Sequence, residues 1–163
     1  LAIIPALMVR VGGELFTIPL STVEETLRVH HDETFSIEGV EVMHLRDTTM
    51  PIFRLTDMFS IKSEHDSEEA GFFVVIVSTG MQRVGLVVDE LIGQEEVVIK
   101  PLEDYLREES GFSGATIIGD GRISLILDIY ELIKMTNDKQ AQRHRSLASV
   151  RKLKASKSSH EEA

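Results

Sequence analysis

Apolar positions along the chain fall into short runs separated by Gly, Pro and polar residues, a pattern of strands and tight turns. Residues 7–11 and 15–19 are joined by Gly12-Gly13-Glu14, which predicts a hairpin. Ser21 with Glu24 three positions later has the form of a capping box and predicts a short helix over 22–27. Residues 40–45 and 50–55 predict a second hairpin around Asp47-Thr48-Thr49. Pro51 has no N–H to donate, which puts its strand at an edge or bulge. The stretch KSEHDSEEAG at 62–71 reads as a loop between two halves. Beyond it, FFVVIVS at 72–78, a turn at Thr79-Gly80 and RVGLVVDEL at 83–91 are apolar on both faces, as fully buried strands are. Residues 97–99 predict another strand, stopped by Pro101. ATIIG and RISLILD flank Asp120-Gly121, which predicts a two-residue hairpin of the primed type. Asp128 with Glu131 is a second capping box, opening a helix through about Met135.

The pattern repeats weakly. Strand, glycine turn and strand at 9–20 return at 74–88, about 68 residues further on, and the hairpin at 43–55 returns at 115–127. This echo favours two similar small barrels, of SH3-like or oligonucleotide-binding type, over one large sandwich. The fold class is all-β with short helices.

The length of 163 residues suits one domain or two small barrels sharing a core, and 42% hydrophobic residues suffice to fill it. The longest apolar runs are far below the roughly 20 residues of a membrane helix, and no signal peptide is visible. Zero cysteines exclude disulfides, thiolate metal sites and a cysteine nucleophile. The net charge of −10 argues against nucleic acid as the main partner. That charge is segregated. Residues 134–163 hold eight basic and three acidic residues, a net +5, and residues 1–133 carry −15. The tail KASKSSHEEA lacks large apolar residues, so 135–163 reads as a basic, mostly disordered and solvated segment. A sharper reading makes 139–153 a basic helix, with Leu147, Val150 and Leu153 on one side, touching an acidic partner or anionic lipid. The opening LAIIPAL reads like the end of a preceding unit, and the chain as part of a longer protein.

No constellation of catalytic residues holds together. The histidines are His30, His31, His44, His65, His144 and His160. His30-His31-Asp32-Glu33 is better read as a polar turn than as a metal site, because adjacent side chains on a strand diverge. His44 reads as exposed or hydrogen-bonded. Gly119-Asp120-Gly121 lacks the Lys-Ser/Thr of a phosphate loop. Asp89-Glu90 reads as facing solvent or capping a turn. Most of the seven Phe lie in apolar runs and suit core packing better than base stacking. No metal, no cofactor and no catalytic residue is expected. A compact acidic β module of this kind suits protein binding.

Three long motifs carry a resemblance to a known family. GLVVDELIGQEEVVIKPL at 85–102, SGATIIGDGRISLILDI at 113–129 and MVRVGGELFTIPLSTVEETLRV at 8–29 resemble the CheW-like domain, in the form found at the C-terminus of the chemotaxis histidine kinase CheA. The resemblance covers about residues 1–134. It implies two five-stranded SH3-like barrels packed side by side over 8–134, with 1–7 as the end of a kinase ATP-binding domain or linker. It implies partners: a CheW-type adaptor, the cytoplasmic tips of chemoreceptors and the adjacent kinase domain, at cytoplasmic receptor arrays, with no membrane insertion. It implies that the catalytic domains lie upstream. The receptor-facing positions align with Val23, Glu25 and Arg46. Met43, Met50 and Ile52 are the adaptor-facing candidates, at the exposed end of the first barrel. The competing assignment makes Val23, Met43, Met50 and Ile52 core residues, Glu25 a solvated helix residue and Arg46 a local ion-pair partner. Where the family commonly has Arg-Gly, this chain has Arg46-Asp47, and Asp is expected to take the left-handed turn position. Two other readings are a free-standing CheW-type adaptor and a nucleic-acid-binding pair of barrels using the basic tail.

Overall fold

A computed structural model describes residues 2–63, 70–80, 82–101 and 111–161, apart from the side chains at 143, 144, 147, 160 and 161. The strands are β1 (Ala2–Val11), β2 (Glu14–Pro19), β3 (Val23–Val29), β4 (Thr34–Ile37), β5 (Val40–Leu45), β6 (Thr48–Arg54), β7 (Phe72–Thr79), β8 (Gln82–Val88), β9 (Glu90–Ile99), β10 (Phe112–Ile117) and β11 (Ile123–Leu127). The described residues also form two α-helices, α1 (Leu55–Met58) and α2 (Ile129–Glu161), and short 3-10 turns at Leu20–Thr22 and His31–Glu33.

Two sheets form, in the orders β10-β11-β2-β1-β9 and β3-β7-β8-β6-β5-β4. The first closes on itself, because Lys100, just past β9, exchanges backbone hydrogen bonds with Ala115 of β10 at 2.8 and 2.9 Å. The second curls until Glu25 on β3 meets Arg46 at the β5–β6 turn. Both contain a hairpin flanked by an antiparallel strand on one side and a parallel strand on the other: β1–β2 with β9 and β11, β7–β8 with β3 and β6. The echo between 9–20 and 74–88, and between 43–55 and 115–127, is therefore a structural equivalence. The halves are not consecutive, however. The β3–β8 barrel is one continuous stretch, and the other barrel is assembled from both ends of the chain. A boundary at 62–71 is corrected accordingly; residues 64–69 of that loop lie outside the described residues.

β7 and β8 are apolar on both faces because they form the wall between two cores. Val75, Val77, Val84, Leu86 and Val88 pack with Leu7, Val9, Phe16, Ile18 and Leu132 between the barrels. Val74, Ile76 and Val87 face Val29, Met43, Leu45, Met50 and Ile52 inside the β3–β8 barrel.

Several local expectations change. The predicted helix at 22–27 is strand β3. Leu27 and Val29 face the barrel interior, while a bulge before Glu25 turns Val23 toward the core between the barrels, and that bulge and the polar Glu25 hide the period of two. Pro51 lies on an inner strand, but the ladder to β8 begins only at Ile52, so its missing N–H leaves no gap there. The segment 1–7 is not a separate unit: Ala2–Leu7 pair with β9, and Ala6 and Leu7 are buried. The Asp120-Gly121 turn spans three residues rather than two. Gly121 N donates to Ile118 O, Ile118 N donates to Arg122 O, and Gly121 takes the left-handed conformation (φ 86°). Finally, α2 begins as predicted, with Glu131 N donating to Asp128 Oδ1 at 3.1 Å, but runs on to Glu161. The stretch expected to lack regular structure is helical, since 129–161 holds no Gly or Pro and is rich in Lys, Arg, Gln, Ala and Leu.

Candidate interaction surfaces

The β5–β6 hairpin and β3 bring two of the sequence-predicted receptor residues together. Arg46 Nη2 donates to Glu25 Oε2 at 3.1 Å; the guanidinium side is 71% exposed and the carboxylate side 28%. Arg46, not Asp47, carries the left-handed backbone (φ 55°), a conformation that disfavours residues with a Cβ. The turn thus spends backbone strain on holding an arginine at the tip. Val23 sits two residues from Glu25, half-buried against the core between the barrels and paired with Val77. The ladder is irregular between Val23 and Glu25, and the intervening Glu24 reaches Arg83 on β8 at 2.9 Å. Two ion pairs therefore flank one bulge.

A groove of roughly 650 Å³ opens beside them. Thr48 and Thr49 of β6, Gln82 and Arg83 of β8, and Tyr130 and Lys134 of α2 line it. Its α2 wall is held by two amide hydrogen bonds. Gln82 Nε2 donates to Asn137 Oδ1 at 2.8 Å, and Asn137 Nδ2 donates to Gln82 Oε1 at 3.1 Å. Tyr130 is 72% exposed, so an aromatic ring is offered at the rim. Arg83 and Tyr130 escaped the sequence reading: one stands at a hairpin end and the other in a capping box, and both contexts suggest local roles.

The adaptor candidates fare differently. Met43, Met50 and Ile52 belong to the β3–β8 barrel and are only 3%, 3% and 2% exposed. Met43 pairs directly with Met50, and Ile52 packs over Gly85, where a Cβ would lie 2.8 Å from its Cγ2. Their side chains fill the core; Met50 also forms part of the floor of the α2 groove, and Ile52 lines a second pocket beside Arg54. Alternation along β5 and β6 places them inward, and no exposed end of the sheet includes them.

Exposed apolar side chains occur on both barrels: Phe35 and Ile37 on β4 of the β3–β8 barrel, and a longer row on the other. Ile3 of β1 pairs with Val98 of β9, and Ile117 of β10 pairs with Ile123 of β11. The antiparallel Lys100–Ala115 bridge sets Val98 beside Ile117, so the four form one row across four strands. They are exposed by 67%, 38%, 54% and 65% in that order. Exposed apolar groups arranged contiguously mark interaction surfaces better than scattered ones do.

The remaining polar candidates have structural roles. Asp89 Oδ2 accepts from Gly12 N at 2.6 Å and caps the first hairpin turn, while Glu90 pairs with Arg10 at 3.2 Å. His44 Nδ1 lies 2.8 Å from Thr49 Oγ1, and the His31 ring packs edge-on against Phe72. Asp120 accepts from the backbone N–H and the guanidinium of Arg122; the backbone bond first and the side chain second hold its carboxyl below the usual range. His65 lies outside the described residues. No described helix is long and apolar enough to cross a membrane.

Two SH3-like barrels joined along a shared wall define the class of this molecule. The scaffolding protein TtCheW of Thermoanaerobacter tengcongensis has the same fold, with a TM-score of 0.62 and 20% identity over 78% of this chain and 90% of that one. The chain belongs to the CheW-like domain family, whose model matches residues 5–137. It is 45% identical over 135 residues to the sensor histidine kinase CheAY of Helicobacter pylori and 41% identical over 135 residues to the chemotaxis protein CheA of Treponema pallidum. Each match takes in 83% of this chain and 17% of the relative's length. The chain thus corresponds to the CheW-like regulatory portion of CheA proteins.

Proposed function

We propose that this chain is the regulatory coupling part of a chemotaxis sensor histidine kinase. It binds a CheW-type adaptor and the cytoplasmic tips of chemoreceptors and so controls kinase domains that lie upstream, at cytoplasmic receptor arrays. The observation that carries this reading is the 45% and 41% identity to CheA-type kinases across the whole two-barrel body. The free-standing adaptor reading is disfavoured, since likeness to the adaptor structure is at the level of fold.

In this reading the receptor tip lies along the groove beside Glu25–Arg46, with Val23, Arg83 and Tyr130 at its border. A helical hairpin suits a groove with an apolar floor and charged rim. The adaptor contacts the row Ile3, Val98, Ile117 and Ile123, barrel against barrel, in place of the buried Met43, Met50 and Ile52. The barrels act by position: an effector changes kinase output only by contacting its on and off states differently.

Calorimetric titration of this chain with purified adaptor, and separately with a receptor-tip fragment, tests the proposal. Micromolar binding to both is expected. Ile117→Asp with Ile123→Asp should abolish adaptor binding and spare the receptor, and Arg46→Glu should do the reverse. No binding of the unaltered chain to either partner would refute the assignment.

A further inference from the structure

The groove between β6, β8 and α2 has a charge that the rest of the body does not share. Residues 1–133 carry −15, yet no carboxylate is among the described residues that line the groove, and two of those residues are cations, Arg83 and Lys134. Met50 and Ile133, both buried, form part of its floor, so a charged group entering it loses some of its water and is held more strongly than at an open surface.

The two cations are paired to different degrees. Lys134 is exposed and has no carboxylate within ion-pair distance among the described residues. Arg83 has Glu24, but in poor alignment: Glu24 Oε2 lies 2.9 Å from Nε, off the line of the N–H, and that buried N–H has no hydrogen-bond partner. A buried donor without an acceptor is costly, more so on a charged group. The spacing of the two cations is fixed by their neighbours. Gln82 precedes Arg83 on β8, Asn137 lies about one turn beyond Lys134 on α2, and the paired amides of Gln82 and Asn137 tie strand to helix.

Resting on the receptor reading above, we infer that this groove takes one acidic side chain of the receptor-tip hairpin, seated between Arg83 and Lys134. The incoming carboxylate gives Lys134 an ion-pair partner and completes the hydrogen bonding of the Arg83 guanidinium. A polyanion fits less well, because Glu24 and Glu25 stand beside the groove and repel an extended run of negative charge.

Calorimetric titration with a receptor-tip hairpin at about 0.1 M salt tests the inference. Lys134→Glu should weaken binding about tenfold and Lys134→Met about threefold. Lys139→Glu makes the same change in net charge as Lys134→Glu, on the same helix but outside the groove, and should stay within about twofold. Glu24→Gln should tighten binding, since it removes the carboxylate that competes for Arg83; an ion pair with a structural role only would not give that sign. In a panel of tips with each acidic residue neutralised in turn, one should bind the unaltered chain weakly and lose nothing further against Lys134→Met. Circular dichroism checks that the variants fold. The groove assignment is overturned, with the receptor reading intact, if the unaltered chain binds the tip but Lys134→Glu binds equally well, if Lys139→Glu weakens binding as much, or if no neutralised tip shows the coupling. Failure of the unaltered chain to bind the tip overturns both.

Discussion

In the β3–β8 barrel every strand comes from one stretch, 23–88, whereas the other barrel takes β1 and β2 from one end of the chain and β9–β11 from the other. The interiors differ too. The continuous barrel is filled by Val29, Met43, Leu45, Met50, Ile52, Val74 and Ile76, all apolar. The discontinuous one buries the pair Thr17–Ser124, whose hydroxyls lie 2.8 Å apart across the parallel β2–β11 contact. The outer surfaces differ in degree. The continuous barrel has ion pairs Glu25–Arg46, Glu24–Arg83 and Arg54–Glu41 and exposes Phe35 and Ile37, and the discontinuous one has Arg10–Glu90 and Arg122–Asp120 and exposes the longer Ile3–Val98–Ile117–Ile123 row. One strand order therefore serves two ends. The barrel built from one stretch has an apolar core, and the barrel built from both ends of the chain keeps a polar core contact and the longer exposed apolar row.

The comparison is broken most directly in the cores. Ile52→Ala should cost about 2–5 kcal/mol, and Ile126→Ala on buried β11 a similar amount. Closing the chain ends is entropically late, so Ile52→Ala should mainly slow folding and Ile126→Ala mainly speed unfolding, as chevron plots would read. Equal partition in both variants would remove the kinetic side of the contrast.

The turns come next. Gly12 is left-handed (φ 55°), and a Cβ there would lie 2.4 Å from the Lys62 carbonyl oxygen. Gly12→Ala should cost about 2 kcal/mol in chemical denaturation. Thr17→Ala leaves the Ser124 hydroxyl buried without its partner and should cost about 1–3 kcal/mol, while Thr17→Val with Ser124→Ala should recover most of that. If the double variant is no better than the single, the pair is not what holds β2 to β11.

Arg46→Gly has a smaller expected effect on stability. It loses an exposed ion pair, worth about 0–1 kcal/mol, and gains relief of a left-handed turn of similar size. Stability should hold within about 1 kcal/mol while receptor-tip binding falls. A variant that binds as before would show that the strain at Arg46 serves no contact. Smallest is Asp120→Asn. The carboxyl of Asp120 is held below its usual range in the folded chain, so its contribution is present above the unfolded-state range and fades as pH falls through the folded value. The wild type's advantage over Asp120→Asn in thermal melts should be small at neutral pH and vanish in acid.

Much of this molecule follows from local sequence. Gly12-Gly13, with both residues at positive φ, fixes the first hairpin, and Asp128 with Glu131 opens α2, because turn and cap chemistry act over a few residues. The two-sided apolar runs of β7 and β8 announce a buried wall, and the repeated hairpins announce two barrels. The chain's motifs also place it in its family. Tertiary structure decided the rest. β3 was hidden because a bulge breaks the alternation beside Glu25, a half-buried acid whose partner Arg46 lies 21 residues away. Nothing local says that β1, already paired with its neighbour β2, will take β9 on its other edge, because those two strands lie far apart in sequence and only the closed barrel brings them together. Met43, Met50 and Ile52 are apolar in any reading. Only the curl of the sheet turns them inward, leaving Ile3, Val98, Ile117 and Ile123 outside, since apolar identity marks a residue for burial somewhere and packing determines which ones are left for a partner.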